Sequence, residues 1–522
     1  MTRRFPLLLT ALTLPLLLIG TLTFVSSIRA GGPYDICSTC TYTTIQQAVT
    51  EGPENTSLTI ADETFIENVA ITRSVTLVGA GSGLTIIDGQ ITDTVILINS
   101  GPTVSISGVT IQNGDTTNAS GGGGLLNENG TVTLTNAVVQ NNLALDGAGI
   151  SNKGTMILDN VTVRNNMANE VVGNVSICEA CAGGGIHNSS VMTVTNSMVH
   201  GNTANFGGGI ENTGTLVATN VEIYNNSVSN NVEAENSFGG GIENLNMLTL
   251  TDSIVRDNSA PFGGGIYNEG NLTVSGSDLY SNMATTRGGG IHNTFNMTVE
   301  TSNIHDNEAG SGGGGGISSE GGGVLVQQTA VYNNSATGSG GGIVHNVLAG
   351  ANSFIIINST ISGNSTQGAG GGLRNAGVAS TSLNFVTMRN NQSIVVSGQS
   401  VSVNAGTLTL KNSLIATNQS GNNCSGTMTS QGYNIANDGS CGLTGTADMP
   451  NTTPLLGPLQ DNGGGTLTHA LLVGSPAIDS GNGCPAVDQR GVARPFGDEC
   501  DRGAYEYDQD TQFTYLPLVV RP

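Results

Sequence analysis

Tryptophan is absent from this 522-residue chain, aromatic residues make up 4% of it, charged residues only 10%, and lysine occurs just twice, at Lys153 and Lys411. A chain with so few cations and a net charge of −23 repels phosphate backbones, which excludes nucleic acid as a partner. Cations and neutral glycans fit that charge better. The lack of tryptophan removes the largest aromatic platform on which a sugar ring could stack. Beyond the first thirty residues there is also no apolar run long enough to span a bilayer.

Those first residues, "MTRRFPLLLTALTLPLLLIGTLTFVSSIRAGG", combine two arginines, an apolar run from Phe5 to Val25 and small residues before a cut after Ser27 or Ala30. This is the pattern of a secretory signal peptide, assigned to residues 1–30. The same run could also anchor an uncleaved chain, but Pro6, Pro15 and the small residues favour cleavage, leaving no membrane span in the mature protein. Export makes the eight cysteines candidates for disulfides, and they fall in local pairs: Cys37–Cys40, Cys178–Cys181, Cys424–Cys441 and Cys484–Cys500. No metal site is expected from the two CxxC pairs, because stacked repeats separate them by about five coils, or roughly 24 Å.

What the sequence has in excess is glycine, 77 residues, set among 37% hydrophobic residues rather than in a polar linker. The stretch "GGGIEN" occurs at Gly207–Asn212 and again at Gly239–Asn244. The apolar residue after each glycine cluster recurs at Leu125, Ile150, Ile186, Ile210, Ile242, Ile266, Ile291, Ile317, Ile343 and Leu373, a period of 24 to 26 residues stretched by insertions. Within a period the pattern alternates, and "GIEN", "TLVAT" and "VEIY" read as three short strands. One such unit cannot bury its own apolar side, so the units must stack. The expected fold is all-β: a right-handed parallel β-helix of three sheets and roughly fourteen to fifteen coils at about 4.8 Å each, with a disulfide-stapled C-terminal cap.

A second marker, an apolar residue, two variable residues and then Asn, ends at Asn142, Asn202, Asn226, Asn258, Asn282, Asn307, Asn334 and Asn364, and predicts an inward asparagine ladder. Gly79, Gly81 and Gly83 in "VTLVGAGSG" imitate a dinucleotide fingerprint, but the last glycine is misplaced and no helix is expected after it, so the segment reads as a turn and no nucleotide cofactor is implied.

These motifs carry three resemblances. "VHGNTAN" before "FGGGIEN" resembles the polymorphic outer-membrane protein repeat over about Leu125 to Asn375. "YTTIQQAV", "FIENVAITRSVTLVGAGSGLTIIDG" and "ISGVTIQNG" resemble the opening coils of pectin-lyase-like β-helices, with Ile45–Val49 a short capping helix. "PLLGPLQDNGGGTLTHALLVGSPAIDSGN" through "DQRGVARP" to "CDRGAYEY" resembles the choice-of-anchor Q module, which follows β-helices on secreted and surface proteins. The chain then divides into the signal peptide, a cap over 31–56, coils over 57–420, the C-terminal module over 421–508 and a tail over 509–522.

The residue after each inward apolar position should point outward. Along successive coils it is Ser151, His187, Glu211, Glu243, Tyr267 and His292, of which Glu211, Glu243, Tyr267 and His292 are candidate ligand contacts. Glu211 and Glu243 on adjacent coils have about the separation of a retaining carboxylate pair, with His187 beside them. The insertions 167–182 and 227–238 are placed to wall a groove there. A second outward stripe, Gln140, Arg164, His200, Tyr224, Arg256, Tyr280, His305 and Tyr332, offers Tyr224, Tyr280 and Tyr332 for sugar contact. Asp479, Asp488, Arg490, Arg494, Asp501, Arg502 and Glu506 read as a structural ion-pair network. No cofactor is implied; calcium is the one ion so acidic a chain would admit, yet the RTX nonapeptide aspartate is missing. The resemblances imply a secreted or cell-surface protein with a non-catalytic binding, adhesion or envelope role, its partners extracellular glycans or a host or neighbouring cell surface. The alternative is an extracellular polysaccharide lyase or glycoside hydrolase acting on an acidic polysaccharide.

Overall fold

The structure, a computed structural model, describes residues 35–116, 121–169, 171–172, 175–176, 181–228, 237–347, 353–378, 380–395, 397–417 and 421–508. The expected signal peptide, the tail over 509–522 and Cys178 lie outside them. A helix, Ile45–Glu51, opens the fold where capping was expected; Thr44 accepts from the Gln47 amide, and Glu67 accepts from the Ile45 and Gln46 amides. Its buried Ile45, Ala48 and Val49 close the first end of the core.

From Thr56 onward the chain winds as a parallel β-solenoid. One sheet stacks fourteen short strands from Val69–Ile71 to Asn422–Ser425, with like residues facing like: Ile210 pairs with Ile242, Glu211 with Glu243 and Asn212 with Asn244. The expected strands "TLVAT" and "VEIY" appear as Thr215–Thr219 and Glu222–Tyr224. They bend apart at Asn220, whose φ of 53° makes the corner, and equivalent corners recur at Asn196 and Asp252. A fourth strand of two residues, Ser227–Val228, belongs to an eleven-strand sheet. Two residues carry no periodicity, so this strand left no alternating pattern to read.

One coil turns Ile210, Leu216, Ala218, Val221, Ile223 and Val228 inward, and Ile210, Leu216, Ala218 and Ile223 pair in register with their counterparts on neighbouring coils. The glycines make the close stacking possible. Gly207 holds φ 56°, and a Cβ on Gly208 would stand 2.5 Å from the Ser227 carbonyl oxygen and 2.7 Å from that of Gly240. No side chain fits between backbones that near.

Asparagine ladders run through the interior twice. In the first, Asn142, Asn166, Asn202, Asn226, Asn258, Asn282, Asn307, Asn334, Asn364 and Asn391 join side chain to side chain at 2.9 to 3.0 Å. The left-handed residue of this turn is the one before the ladder position, such as Asn225 or Asp257, and the ladder Asn sits inside. The Asn of "GGGIEN" forms a separate ladder, Asn127 through Asn152, Asn188, Asn212, Asn244 and Asn268 to Asn293, at 2.7 to 2.9 Å.

Pairing continues through Ile435–Ala436. The Cys424–Cys441 loop then lays Cys441 and Leu443 onto the last coil of the core, as a cap should. The C-terminal segment beyond this cap folds back along the flank: His469 bonds Ser362, Gln489 accepts from Thr360, and the Asp488 carbonyl accepts from Gln328. Cys37–Cys40 and Cys484–Cys500 are also bonded. Of the charges expected to form a network here, Asp488, Arg494, Asp501, Arg502 and Glu506 are buried and Asp479 is exposed. Arg490 pairs with Asp488 at 2.9 Å, Arg494 with Glu506 at 3.5 Å, and Arg494 donates to the Asp501 carbonyl, while Glu506 and Asp501 accept backbone amides. No helix among the described residues is long and apolar enough to cross a membrane.

Candidate functional site

Ser151, His187, Glu211, Glu243, Tyr267 and His292 stack in register as expected, but not as a solvated stripe: Glu211 is 8% exposed, Glu243 4%, Tyr267 5% and His292 3%. The cover comes from the residue preceding each glycine cluster. Ala182, Phe206, Phe238 and Phe262 bridge one another coil by coil, with ring centroids 5.9 Å apart for Phe206 and Phe238 and 5.6 Å for Phe238 and Phe262. These rings roof the stripe. Phe238 stacks on Tyr267 at 4.3 Å, and Phe262 and Tyr267 pack on His292, whose pKa burial lowers to about 3, with Arg287 adding to the shift. Tyr267 and His292, expected to contact ligand, are therefore packing residues. The recurring Phe before "GGG" was the legible sign of this roof.

Under its open end lies a pocket of about 320 Å³ lined by Ala182, Phe206, Glu211, Phe238, Glu243, Leu245 and Glu269. Both glutamates singled out from the sequence line it, and Ala182 and Phe238, the last residues of the two insertions, form part of its wall. Glu269 was not anticipated. It follows the strand rather than lying within it, and accepts from the Tyr267 hydroxyl at 2.6 Å.

The carboxyls differ in state. His187 Nδ1 lies 2.5 Å from Glu211 Oε2. Burial disfavours the imidazolium, but the Glu211 hydrogen bond and charge and the nearby Asp146 outweigh it, so the His187 pKa is raised. Asp146 itself is raised, chiefly by burial. The Glu243 pKa is raised well above its ordinary value by burial first and by Glu211 and Glu269 next, which favours its protonated form. Its Oε2 is buried without a hydrogen-bond partner. A carboxyl held by His187 and a carboxyl whose protonated form burial favours thus share a pocket from adjacent coils, the division of roles that acid catalysis uses.

The second stripe is in register from Gln140 to Tyr332 and half-buried. Its rings face each other rather than solvent. Tyr224 lies between His200, at 4.5 Å, and the Arg256 guanidinium, at 4.3 Å; His305 lies between Tyr280, at 5.1 Å, and Tyr332, at 4.6 Å. Sugar stacking needs a free ring face, and those of Tyr224 and His305 are taken. Arg256 is likewise held by Glu222 and Asp257. Tyr224 is thus spent within a stacked rib along the solenoid, while Tyr280 and Tyr332 each give one face to His305.

No protein-family model matches this sequence, and no curated protein matches it. Solved structures do. Pectate lyase Pel9A is similar at 11% identity and a TM-score of 0.28 over 89% of this chain and 91% of that one. The catalytic domain of a GH87 α-1,3-glucanase, in complex with nigerose, is similar at 13% identity and 0.36 over 75% and 70%. The A-module of the Azotobacter vinelandii mannuronan C-5 epimerase AlgE4 is similar at 12% and 0.27 over 78% and 93%. The likeness is one of fold alone. The resemblance to polymorphic outer-membrane protein repeats and to the choice-of-anchor Q module rests on the quoted motifs. The three cysteine pairs bonded among the described residues fit an oxidising, extracellular setting.

Proposed function

We propose that this protein acts on an extracellular polysaccharide, hydrolysing a glycosidic bond at the Glu211–Glu243 pair. The observation that carries the reading is that two carboxyls on successive coils line one pocket in different surroundings, Glu211 bound to His187 and Glu243 buried, with its pKa raised. Successive parallel strands lie about 4.8 Å apart, near the 5–5.5 Å or so that separates the carboxyls of retaining enzymes. Glu243 would donate its proton to the glycosidic oxygen as the C–O bond breaks, and Glu211 would attack the anomeric carbon. Water then opens the glycosyl ester while Glu243 takes the proton back. Hydrolysis suits the lining better than elimination. A lyase must neutralise a uronate carboxylate, and the pocket presents carboxyls and apolar groups with no lysine or arginine.

The near-complete burial of both carboxyls favours a second reading, in which the solenoid binds a glycan or a cell surface without turnover, presented by a choice-of-anchor Q-like module. Incubating the chain from residue 31 onward with neutral, acidic and aminated polysaccharides, and following reducing ends and unsaturated-product absorbance, separates the two. Reducing ends lost in Glu211→Gln and Glu243→Gln support hydrolysis. Binding without reducing ends leaves the second reading, and neither binding nor turnover overturns both.

A further inference from the structure

We infer that the pocket formed by Glu211, Glu243, Glu269, Phe206 and Phe238 selects an amine-bearing sugar, an unacetylated hexosamine unit of its polysaccharide, in place of an acidic one. The inference rests on the proposed glycan-directed role of this site and names the substrate class.

Charge is the first reason. The chain carries −23 overall, and three of the seven residues lining the pocket are glutamates with no cation among them. His187, the nearest group of opposite sign, is committed to Glu211. An acidic sugar entering here would meet repulsion at long range and at contact, with nothing to neutralise it. An ammonium group meets the reverse.

The buried carboxyl supplies the second, independent observation. Glu243 is 4% exposed, and its Oε2 faces no hydrogen-bond partner from the protein although it is sealed from solvent. Such an atom is costly unless something donates to it. An ammonium has donors to give to that oxygen. The walls suit it as well. Phe206 and Phe238 are aromatic, and a ring face attracts a cation while accommodating the apolar face of a sugar. A metal ion fits less well, because no three His, Cys, Asp or Glu side chains converge for one among the described residues.

Calorimetric titration of the chain from residue 31 onward with a glucosamine tetramer, its N-acetylated counterpart and tetralysine tests the assignment. The amine sugar should bind at least about tenfold more tightly than the acetylated one, because acetylation removes both the charge and two donors. Glu243→Gln, which keeps the shape of the carboxyl but cannot ionise against a bound ammonium, should erase that preference in a chain that still folds, and Phe238→Leu should weaken binding of the amine sugar. Equal binding of the two sugars overturns the inference. Tetralysine binding as well as the amine sugar also overturns it, in favour of a peptide cation. Amine-selective binding without reducing ends leaves the inference standing and removes only hydrolysis, whereas hydrolysis of a neutral glucan with no amine preference removes only the inference.

Discussion

Replacing Asn226 by Ala should be among the most damaging single changes in the solenoid. Its side chain is 1% exposed and makes four hydrogen bonds: Oδ1 accepts from the Asn202 amide and side chain, each at 3.0 Å, and Nδ2 donates to Asn258 Oδ1 at 3.0 Å and to the Val199 carbonyl at 2.9 Å. Truncation does not orphan every partner. Asn202 Nδ2 keeps the Val163 carbonyl, and Asn258 Oδ1 keeps the Asn226 amide. The Asn202 amide loses its acceptor, at a cost of about 1–3 kcal/mol, and the other three bonds are worth about 1 kcal/mol each, giving about 4–6 kcal/mol in total.

Asn220→Gly is the matched control. Asn220 also bonds a neighbouring asparagine, Asn196 at 2.8 Å, but on the exposed side, and its φ of 53° suits glycine. Its loss should stay within about 1 kcal/mol. Guanidinium unfolding followed by circular dichroism reads both, and limited proteolysis locates local opening if the coils do not melt together. Equal destabilisation by the two substitutions would refute the view that the inner ladder, rather than asparagine stacking in general, holds the coils in register.

The same geometry sets other expectations. Gly208→Ala would thrust a Cβ to 2.5 Å from the Ser227 carbonyl oxygen and should prevent native stacking, seen as loss of the folded baseline or as protease sensitivity. The Glu243 pKa is raised by burial first, so its folded value lies above its unfolded one. The stabilisation from holding that proton is full below about pH 4.3 and is lost as pH rises through the folded value. Glu243→Gln should therefore gain stability relative to wild type between about pH 4 and about pH 8, and an unchanged difference would contradict a protonated Glu243. Opening Cys484–Cys500, which spans 16 residues, by paired Ser substitution should cost about 3 kcal/mol on the chain-entropy model, read as an earlier unfolding transition of the flank segment.

The solenoid was legible because its signal is repeated. A 24- to 26-residue period, alternating apolar residues and a recurrent Asn fix the strands, the stack and the first ladder. The second ladder was hidden in plain view in "GGGIEN", where the sequence cannot say which of two inward turns an Asn occupies. Site exposure was harder to read. Alternation separates residues facing the solenoid interior from those facing away, and Glu211, Glu243, Tyr267 and His292 do face away. It says nothing of Phe206, Phe238 and Phe262 folding over them from the neighbouring turn. The same limit applied to Tyr224 and His305: register places rings above one another, but only side-chain packing shows that their faces are spent on each other.

Building the coil does not require glutamate at the covered position. The same stripe carries Leu126, Ser151, Ser318 and Val344 elsewhere, all buried and all compatible with the stack. Two successive carboxyls under an aromatic roof are therefore a local departure from what stability alone would select, and such departures mark functional sites more often than structural ones. The Glu211→Gln/Glu243→Gln double variant tests that logic separately from any assay of turnover. Removing a buried acid that must take up a proton on folding should raise the unfolding midpoint at about pH 8 even though the His187 contact is weakened, provided the pair is kept for chemistry. A double variant less stable than wild type at that pH would show that the pair belongs to the architecture, and the pocket would lose its claim to be a site.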